Sequence, residues 1–407
     1  MRFELGPVST MFLMGRSNQR NYLIRLWAVL YEPIDERILQ AALDRTLVKY
    51  PWFFIRFTNI RNRLFAEPSV HIPSVKEKKD TSGMKLWEGH EDCEAQVSYF
   101  GNTIFLEFFH AVSDGKGGSE FLAYLTAAYL SIRYQDESIL QSVLPIPKEY
   151  QLENGYRRYA KGFQTKNIRG SAFRITGTPG AMEITRYCLP VDETKQAAKT
   201  YGASITEFMA ALLCSAIAAL QKEKFSQAPN KRIRLLIPVD LRTRFSCHTM
   251  RNFTLNISLE TWPKDTANLI GLCAKFHQYM QSAVKPEKLA DQCASISKLC
   301  DSGIVRGLPL SVKKWFVQMG LDSPLSANTL TFSNMGAVLW PEQLKSRVEA
   351  LGLAFSTKPE APYSCSAISI NGTMNLTLAR TIVEPVLERQ LEKILCAQNI
   401  AFKKYDI

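Results

Sequence analysis

The segment from residue 102 to residue 134 changes from a strand pattern to a helical pattern without a long connection. Its first nine residues, NTIFLEFFH, are apolar and β-prone, which predicts a buried strand that ends at His110. From Glu120 onward, EFLAYLTAAYLSIRY repeats its apolar residues at helical spacing. A strand followed closely by a helix favours an α/β fold, in which helices cover a sheet. It also places His110 at a strand-to-helix connection, where functional side chains concentrate.

Helices and strands are mixed in both halves of the chain. In the first half, Asp35 is expected to cap a helix that Pro51 ends, and a turn at Asn62 separates two short strands. In the second half, Ser204 and Glu207 have the spacing of a capping box at the start of an apolar helix. Further strands and helices are predicted at residues 181–190, 231–245, 252–262, 268–283, 326–336, 365–381 (a hairpin with its turn at Asn371-Gly372) and 385–402. The pattern predicts two related α/β domains.

A basic, glycine-rich segment at residues 151–180 separates the two halves. Glu153 is its acidic residue, and its basic residues are Arg157, Arg158, Lys161, Lys166, Arg169 and Arg174. It is expected to be either a solvated connection or a patch for an anionic ligand. We therefore predict one domain over residues 1–170, a crossover over 171–184 and a second domain over 185–407.

The formal net charge of +12 favours an anionic partner. A phosphate-bearing cofactor, an acidic carrier protein and a membrane surface all fit this charge, and so does a merely basic soluble surface. Nucleic acid is not expected, because no basic stripe with base-stacking residues stands out.

Neither a membrane span nor a metal site is predicted. The longest apolar run, Phe208 to Leu220, has 13 residues, or roughly 20 Å of helix against a hydrocarbon layer of about 30 Å. It predicts a buried helix. No secretory signal is apparent at the N-terminus. The nine cysteines lack C-x-x-C or ligand-like spacing, which predicts reduced thiols and a cytoplasmic location.

The sequence HAVSDG at residues 110–115 contains a histidine four residues before an Asp-Gly pair. A neutral imidazole in such a turn suits general base catalysis, and Asp114 could pair with an arginine and so fix the loop. A histidine that only satisfies the turn is the alternative from these residues. Phosphate-loop, nucleophile-elbow and zinc-peptidase motifs are absent from the sequence. The other histidines have no such companion and are expected to be surface or packing residues: His71, His90, His248 and His277.

These residues resemble the chloramphenicol acetyltransferase-like superfamily, in which HAVSDG matches the H-x-x-x-D-G motif. This superfamily includes alcohol O-acetyltransferases, polyketide-associated acyltransferases, plant BAHD enzymes and condensation domains. Four further stretches resemble its motifs in order: residues 34–57, IPVDLRTRF (237–245), RNFTLN (251–256) and SNMG (333–336). Phe109 replaces the first histidine of condensation domains, the late D-F-G-W-G of BAHD enzymes is missing, and Arg251 replaces a frequent glycine. These departures favour a free-standing acyltransferase with an altered acceptor pocket.

The resemblance implies two αβ-sandwich domains with a tunnel between them and His110 at its centre. It implies a salt bridge between Asp114 and Arg242. It also implies an acyl transfer, expected to be acetyl, from a coenzyme A thioester as co-substrate to a small alcohol or amine, with His110 as the base and no bound cofactor. Gly115 is a candidate for oxyanion stabilisation, and the candidate substrate-binding residues are Arg242, Asn252, Ser333 and Asn334. A carrier-protein-dependent condensation-type acyltransferase and a non-catalytic binding protein of the same fold are the alternatives.

Overall fold

The computed structural model describes residues 2–84, 92–162, 170–224, 231–322 and 328–406. His90, Lys166 and Arg169 lie outside these ranges. The strands are β1 (Phe3–Glu4), β2 (Leu23–Leu30), β3 (Ile55–Ile60), β4 (Arg63–Pro68), β5 (Lys76–Glu77), β6 (Ala95–Phe100), β7 (Thr103–Phe109), β8 (Pro179–Pro190), β9 (Ile233–Asp240), β10 (Thr254–Thr261), β11 (Leu330–Ala337), β12 (Val348–Phe355), β13 (Tyr363–Ile370), β14 (Thr373–Ile382) and β15 (Lys403–Asp406). The helices are α1 (Pro7–Gly15), α2 (Glu36–Lys49), α3 (Gly115–Tyr134), α4 (Glu137–Gln141), α5 (Lys148–Gln151), α6 (Gly155–Arg158), α7 (Val191–Thr200), α8 (Ile205–Lys224), α9 (Arg242–Phe245), α10 (Leu269–Ala283), α11 (Pro286–Asp301), α12 (Gly303–Gly307), α13 (Leu310–Asp322), α14 (Glu342–Lys345) and α15 (Val386–Ala397).

The first sheet has the strand order β12-β2-β7-β6-β5, and a separate small sheet has the order β1-β4-β3. Alternate residues of β2, such as Leu26 and Ala28, face a core shared with α2 and α3. The opposite face of the same sheet carries Trp27 and Phe109 and packs against the second half of the chain, in a cluster that includes Ile184. This second interface holds the two halves together beside the end of β7.

The second sheet has the strand order β10-β9-β11-β13-β14-β8-β15, with β11 parallel to both of its neighbours. Helix α8 packs beside α10 and α15 in the core over this sheet. Its length and composition alone would allow it to cross a membrane. However, Phe208 through Ile217 are buried except for Ser215, so α8 is the core helix that the sequence predicts.

The mixed α/β architecture is confirmed, and so are several local predictions. Asp35 accepts a hydrogen bond from the Ile38 backbone N–H at 3.0 Å and caps α2. The backbone N–H of Ser204 donates to the Glu207 carboxylate at 2.7 Å, as expected of a capping box. Asn371 and Gly372 both have positive φ and form the turn between β13 and β14.

Two features cross the predicted boundaries. Strand β8 begins at Pro179, inside the segment predicted as a crossover. Strand β12 comes from the predicted second domain but pairs antiparallel with β2 in the first sheet. The sequence did not reveal this exchange, because the residues that pair with β12 are more than 300 positions away in the chain. At one end of the pairing, Ile24 lies opposite Phe355. The boundaries of the domains remain a prediction.

Candidate active site

His110 follows the last residue of β7 and has a fixed ring orientation. Its backbone N–H donates to the Tyr22 carbonyl at 2.8 Å. Its ring Nδ1 lies 3.0 Å from the backbone carbonyl of Ser113. Because a carbonyl only accepts, Nδ1 carries the proton of the neutral ring, and Nε2 holds the lone pair. Phe12 of α1 stacks on the imidazole with ring centroids 4.2 Å apart.

The environment of His110 favours the neutral imidazole. Burial lowers its pKa below the usual 6.5, and the nearby Asp114 carboxylate opposes this shift without reversing it. A ring with this pKa is unprotonated near neutral pH. The arrangement therefore has the protonation state that a general base requires.

Asp114 is almost completely buried and connects the two halves of the chain. Its Oδ1 and Oδ2 each accept a hydrogen bond of 3.0 Å from the guanidinium of Arg242. Oδ1 also accepts from the Gly117 N–H at 3.0 Å, which caps α3, and Oδ2 from the Phe253 N–H at 2.9 Å. Burial would raise the pKa of Asp114, but Arg242 and these hydrogen bonds lower it below 3.8. The carboxylate is charged and is held by the protein.

The cap explains why α3 begins at Gly115 and not near Glu120, where the helical pattern becomes visible. Asp114 satisfies an N–H of the first turn, so the glycines that follow can be helical despite their low propensity. A Cβ on Gly117 would collide with the Ser113 hydroxyl and the Met250 carbonyl. Glycine is therefore required where the loop meets the second half.

Arg242 has no donor left for a substrate. Its Nε donates to the Thr249 carbonyl at 2.8 Å and its Nη1 to Asp240 at 2.8 Å, in addition to Asp114. Its Nη2 donates to Asp114 and to the Arg251 carbonyl at 2.7 Å. These contacts use all five N–H groups of the guanidinium. The prediction that Arg242 binds substrate is corrected: this side chain organises the loop.

Asn252 also serves the loop. Its Nδ2 donates to the His110 backbone carbonyl at 2.6 Å and to the Ser9 hydroxyl at 3.2 Å. The side chain is buried, and both amide donors are occupied. Among the described residues its Oδ1 has no hydrogen-bond partner. The side chain thus positions His110 through its N–H groups, and its contact with substrate remains a prediction.

The end of β11 approaches the first turn of α3. A Cβ on Gly115 would lie 3.1 Å from the Met335 sulfur, so these two elements touch. Asn334 donates to the Thr206 hydroxyl at 3.0 Å and accepts from the Gly336 N–H at 2.9 Å. Its second amide N–H is not used by these contacts. Ser333 precedes it on the same strand and pairs in register with Ser366.

Sequence reasoning missed two residues that shape the site. Ser113 holds the imidazole through its carbonyl and donates its hydroxyl to the Met250 carbonyl at 2.6 Å. It stands within the H-x-x-x-D-G motif, so its position could have been noted. Phe12 lies on α1, and no motif or spacing in that segment points to a contact with His110.

No family model and no curated protein matches this sequence. Solved structures do match it over nearly its full length. Polyketide synthase associated protein 5 from Mycobacterium tuberculosis is 15% identical, with a TM-score of 0.64 and 97% of each chain covered. TRI101 of F. graminearum, solved with coenzyme A and deoxynivalenol, is 10% identical, with a TM-score of 0.63 and 99% of each chain covered. TRI3, a trichothecene 15-O-acetyltransferase from Fusarium sporotrichioides, is 13% identical, with a TM-score of 0.62 and coverage of 98% of this chain and 94% of that one. The chain therefore has the two-domain chloramphenicol acetyltransferase-like fold.

Proposed function

We propose that the protein transfers an acyl group from a coenzyme A thioester to a hydroxyl or amine acceptor, with His110 as the general base. The observation that carries this proposal is the neutral imidazole whose Nδ1 is fixed by the Ser113 carbonyl, which leaves Nε2 to accept a proton. The matching structures add support, since TRI101 is solved with coenzyme A and TRI3 is an O-acetyltransferase.

The reaction needs one proton to move twice. Nε2 of His110 takes the acceptor's proton as the acceptor oxygen or nitrogen attacks the thioester carbonyl carbon. The tetrahedral intermediate then collapses, the carbon–sulfur bond breaks, and the imidazolium returns the proton to the departing thiolate. The products are the acylated acceptor and free coenzyme A. A positioned base of this kind contributes typically about 10²–10⁴-fold in rate.

The first turn of α3 is our candidate for the site that stabilises the oxyanion. Gly115 is the first residue of a helix of twenty residues, and the N–H groups at a helix start lack intrahelical acceptors. The nearby end of β11, with Ser333 and the remaining N–H of Asn334, is the second candidate source of donors. Asp114 and Arg242 hold the loop and take no direct part in the reaction.

Both substrates must reach His110 together if no acyl-enzyme forms. We propose that they enter a channel between the two predicted domains from opposite mouths. The net charge of +12 suits the phosphates of coenzyme A. All nine cysteines are free thiols, which is compatible with a reducing compartment, and we propose a cytoplasmic location.

Incubation with labelled acetyl-CoA and a panel of alcohols and amines tests this function. Wild type and the control His71→Ala, which changes an exposed histidine, should transfer label, whereas His110→Ala should lose about 100-fold or more. Thermal unfolding checks that each variant is folded. A folded His110→Ala that retains more than about a tenth of the wild-type rate is incompatible with this base.

Two further outcomes separate the alternatives. Transfer only from an acyl carrier protein would mean a condensation-type donor, and binding without turnover would mean a non-catalytic protein. Varying both substrates should give intersecting double-reciprocal lines. Parallel lines, or label retained on denatured protein, would show a covalent intermediate and contradict the mechanism.

A further inference from the structure

Helix α13 exposes its bulky apolar side chains and buries a lysine. Trp315, Phe316 and Met319 are 58%, 51% and 52% exposed, and their spacing places them on one side of the helix. Lys313 is only 8% exposed and donates to backbone carbonyls of neighbouring elements. The other apolar residues of α13 are half-buried: Leu310, Val312, Val317 and Leu321. The helix therefore has a second, outward apolar side in addition to the inward stripe of the usual surface helix. Among the residues that the structure describes, none covers this outward apolar side.

The exposed apolar groups continue onto the helices that precede α13. Leu299, near the end of α11, is 64% exposed, and Ile304 on α12 is 82% exposed. A hydrogen bond of 3.1 Å from Lys313 Nζ to the Arg306 carbonyl joins α12 to α13. We define the α13 surface by its apolar members: Leu299, Ile304, Trp315, Phe316 and Met319. Concentrated apolar exposure of this kind marks an interaction site more often than scattered single residues do.

The α13 surface is bordered by positive charge. Residues 298–322 contain four basic residues and two acidic residues, Asp301 and Asp322. Asp301 already pairs with Arg157 and Arg306. Lys313 also donates to the Asn62 carbonyl at 2.9 Å, which places the exposed Arg61 of the β3–β4 turn beside α13. Lys314 is exposed on the helix itself. An anionic partner would be attracted to this border.

We propose that the α13 surface docks on an anionic lipid bilayer as a peripheral, non-spanning contact. Short helices with Trp, Phe, Met and Ile on one side and Lys or Arg at the edge insert into the boundary between headgroups and acyl chains. Tryptophan suits that depth because its ring is apolar and its N–H is polar. The cations add attraction to anionic headgroups. An acidic protein partner would pair with the basic residues of the border, but its charges would not explain why five large apolar side chains are exposed.

The docking surface lies one helix away from His110. Helix α13 packs against α1, and a Cβ on Gly15 of α1 would lie 2.8 Å from Leu321. Helix α1 also carries Phe12, which stacks on the imidazole. Docking would therefore hold the candidate active site near the bilayer, where an apolar acceptor is concentrated. The docking itself does not depend on the acyl-transfer proposal and can be measured without it.

Co-sedimentation with vesicles tests the apolar part of the proposal. Wild type should bind vesicles of phosphatidylcholine with about one third phosphatidylglycerol more strongly than pure phosphatidylcholine vesicles, and less at high salt. Trp315→Ser/Phe316→Ser should lower the partition coefficient between water and vesicles by about tenfold or more. Moving one large apolar side chain out of water raises that coefficient by at least this factor. The matched control is Val48→Ser/Ile270→Ser, whose side chains are 67% and 63% exposed on other helices.

A second pair of variants tests the charges. Arg61→Glu/Lys314→Glu should abolish the preference for anionic vesicles, whereas the control Lys49→Glu/Lys195→Glu, also exposed, should reduce it much less. No binding by wild type, or equal losses in variants and controls, would overturn the proposal. So would a dimer in sedimentation analysis that Trp315→Ser/Phe316→Ser dissociates, since a second copy would then cover the surface. Trp315-dependent binding of an acyl carrier protein without vesicle binding would likewise refute it.

Discussion

Replacing Asp114 with alanine removes the carboxylate that joins the His110 loop to the second half of the chain. Four hydrogen bonds of 2.9–3.0 Å are lost: two from Arg242 and one each from the Gly117 and Phe253 N–H groups. Arg242 would remain buried, with Asp240 at 2.8 Å as its carboxylate partner. The change therefore affects a buried ion pair and a helix cap together.

The expected loss of stability is about 4 kcal/mol. Removing one partner of a buried ion pair costs roughly 3–5 kcal/mol, and losing an N-cap costs about 1 kcal/mol. Asp240 still neutralises part of the Arg242 charge, which keeps the total within the range for the pair alone. The Asp240 side chain is 32% exposed, so Asp240→Ala should cost less, about 1 kcal/mol or below.

Denaturant unfolding monitored by circular dichroism measures both variants. The pKa of Asp114 lies below 3.8, so its stabilisation is present above that pH and is lost as the pH falls through the folded-state pKa. The difference between wild type and Asp114→Ala should shrink accordingly in acid. If Asp114→Ala loses acyl transfer while its unfolding free energy stays within about 1 kcal/mol of wild type, the residue acts in the reaction and not through the loop.

Two further predictions concern the same loop. The acid limb of kcat/KM against pH should lie below pH 6.5, because burial lowers the pKa of His110. In Asp114→Asn this limb should move to a still lower pH, because the carboxylate that raises the His110 pKa is gone. An acid limb that stays in place or moves to a higher pH would contradict this electrostatic argument. Gly117→Ala should destabilise the protein by about 1–3 kcal/mol, because the added Cβ would collide with Ser113 and Met250. The control in the same unfolding assay is Gly303→Ala, where nothing lies within 4 Å of the added Cβ. Equal stability of the two variants would mean that the loop can move to accommodate the Cβ of residue 117.

Local sequence determined much of the secondary structure around the site. The apolar run before His110 forms β7, and the caps at Asp35 and Ser204 form where their spacing indicates, because these interactions involve residues close together in the chain. Helix α3 shows the limit of this reasoning. Its first turn is rich in glycine and lacks helical periodicity, so only the Asp114 cap reveals that it begins at Gly115.

Tertiary structure decided which side chains are free to act. The motifs placed Arg242 and Asn252 near the site, but a motif does not show where the side-chain N–H groups point. The fold directs these N–H groups to Asp114, to backbone carbonyls and to Ser9. The pairing of β12 with the first sheet and the stacking of Phe12 on His110 likewise join residues that are distant in the chain. Periodicity and spacing report on neighbours in sequence, whereas these contacts depend on how the two sheets pack.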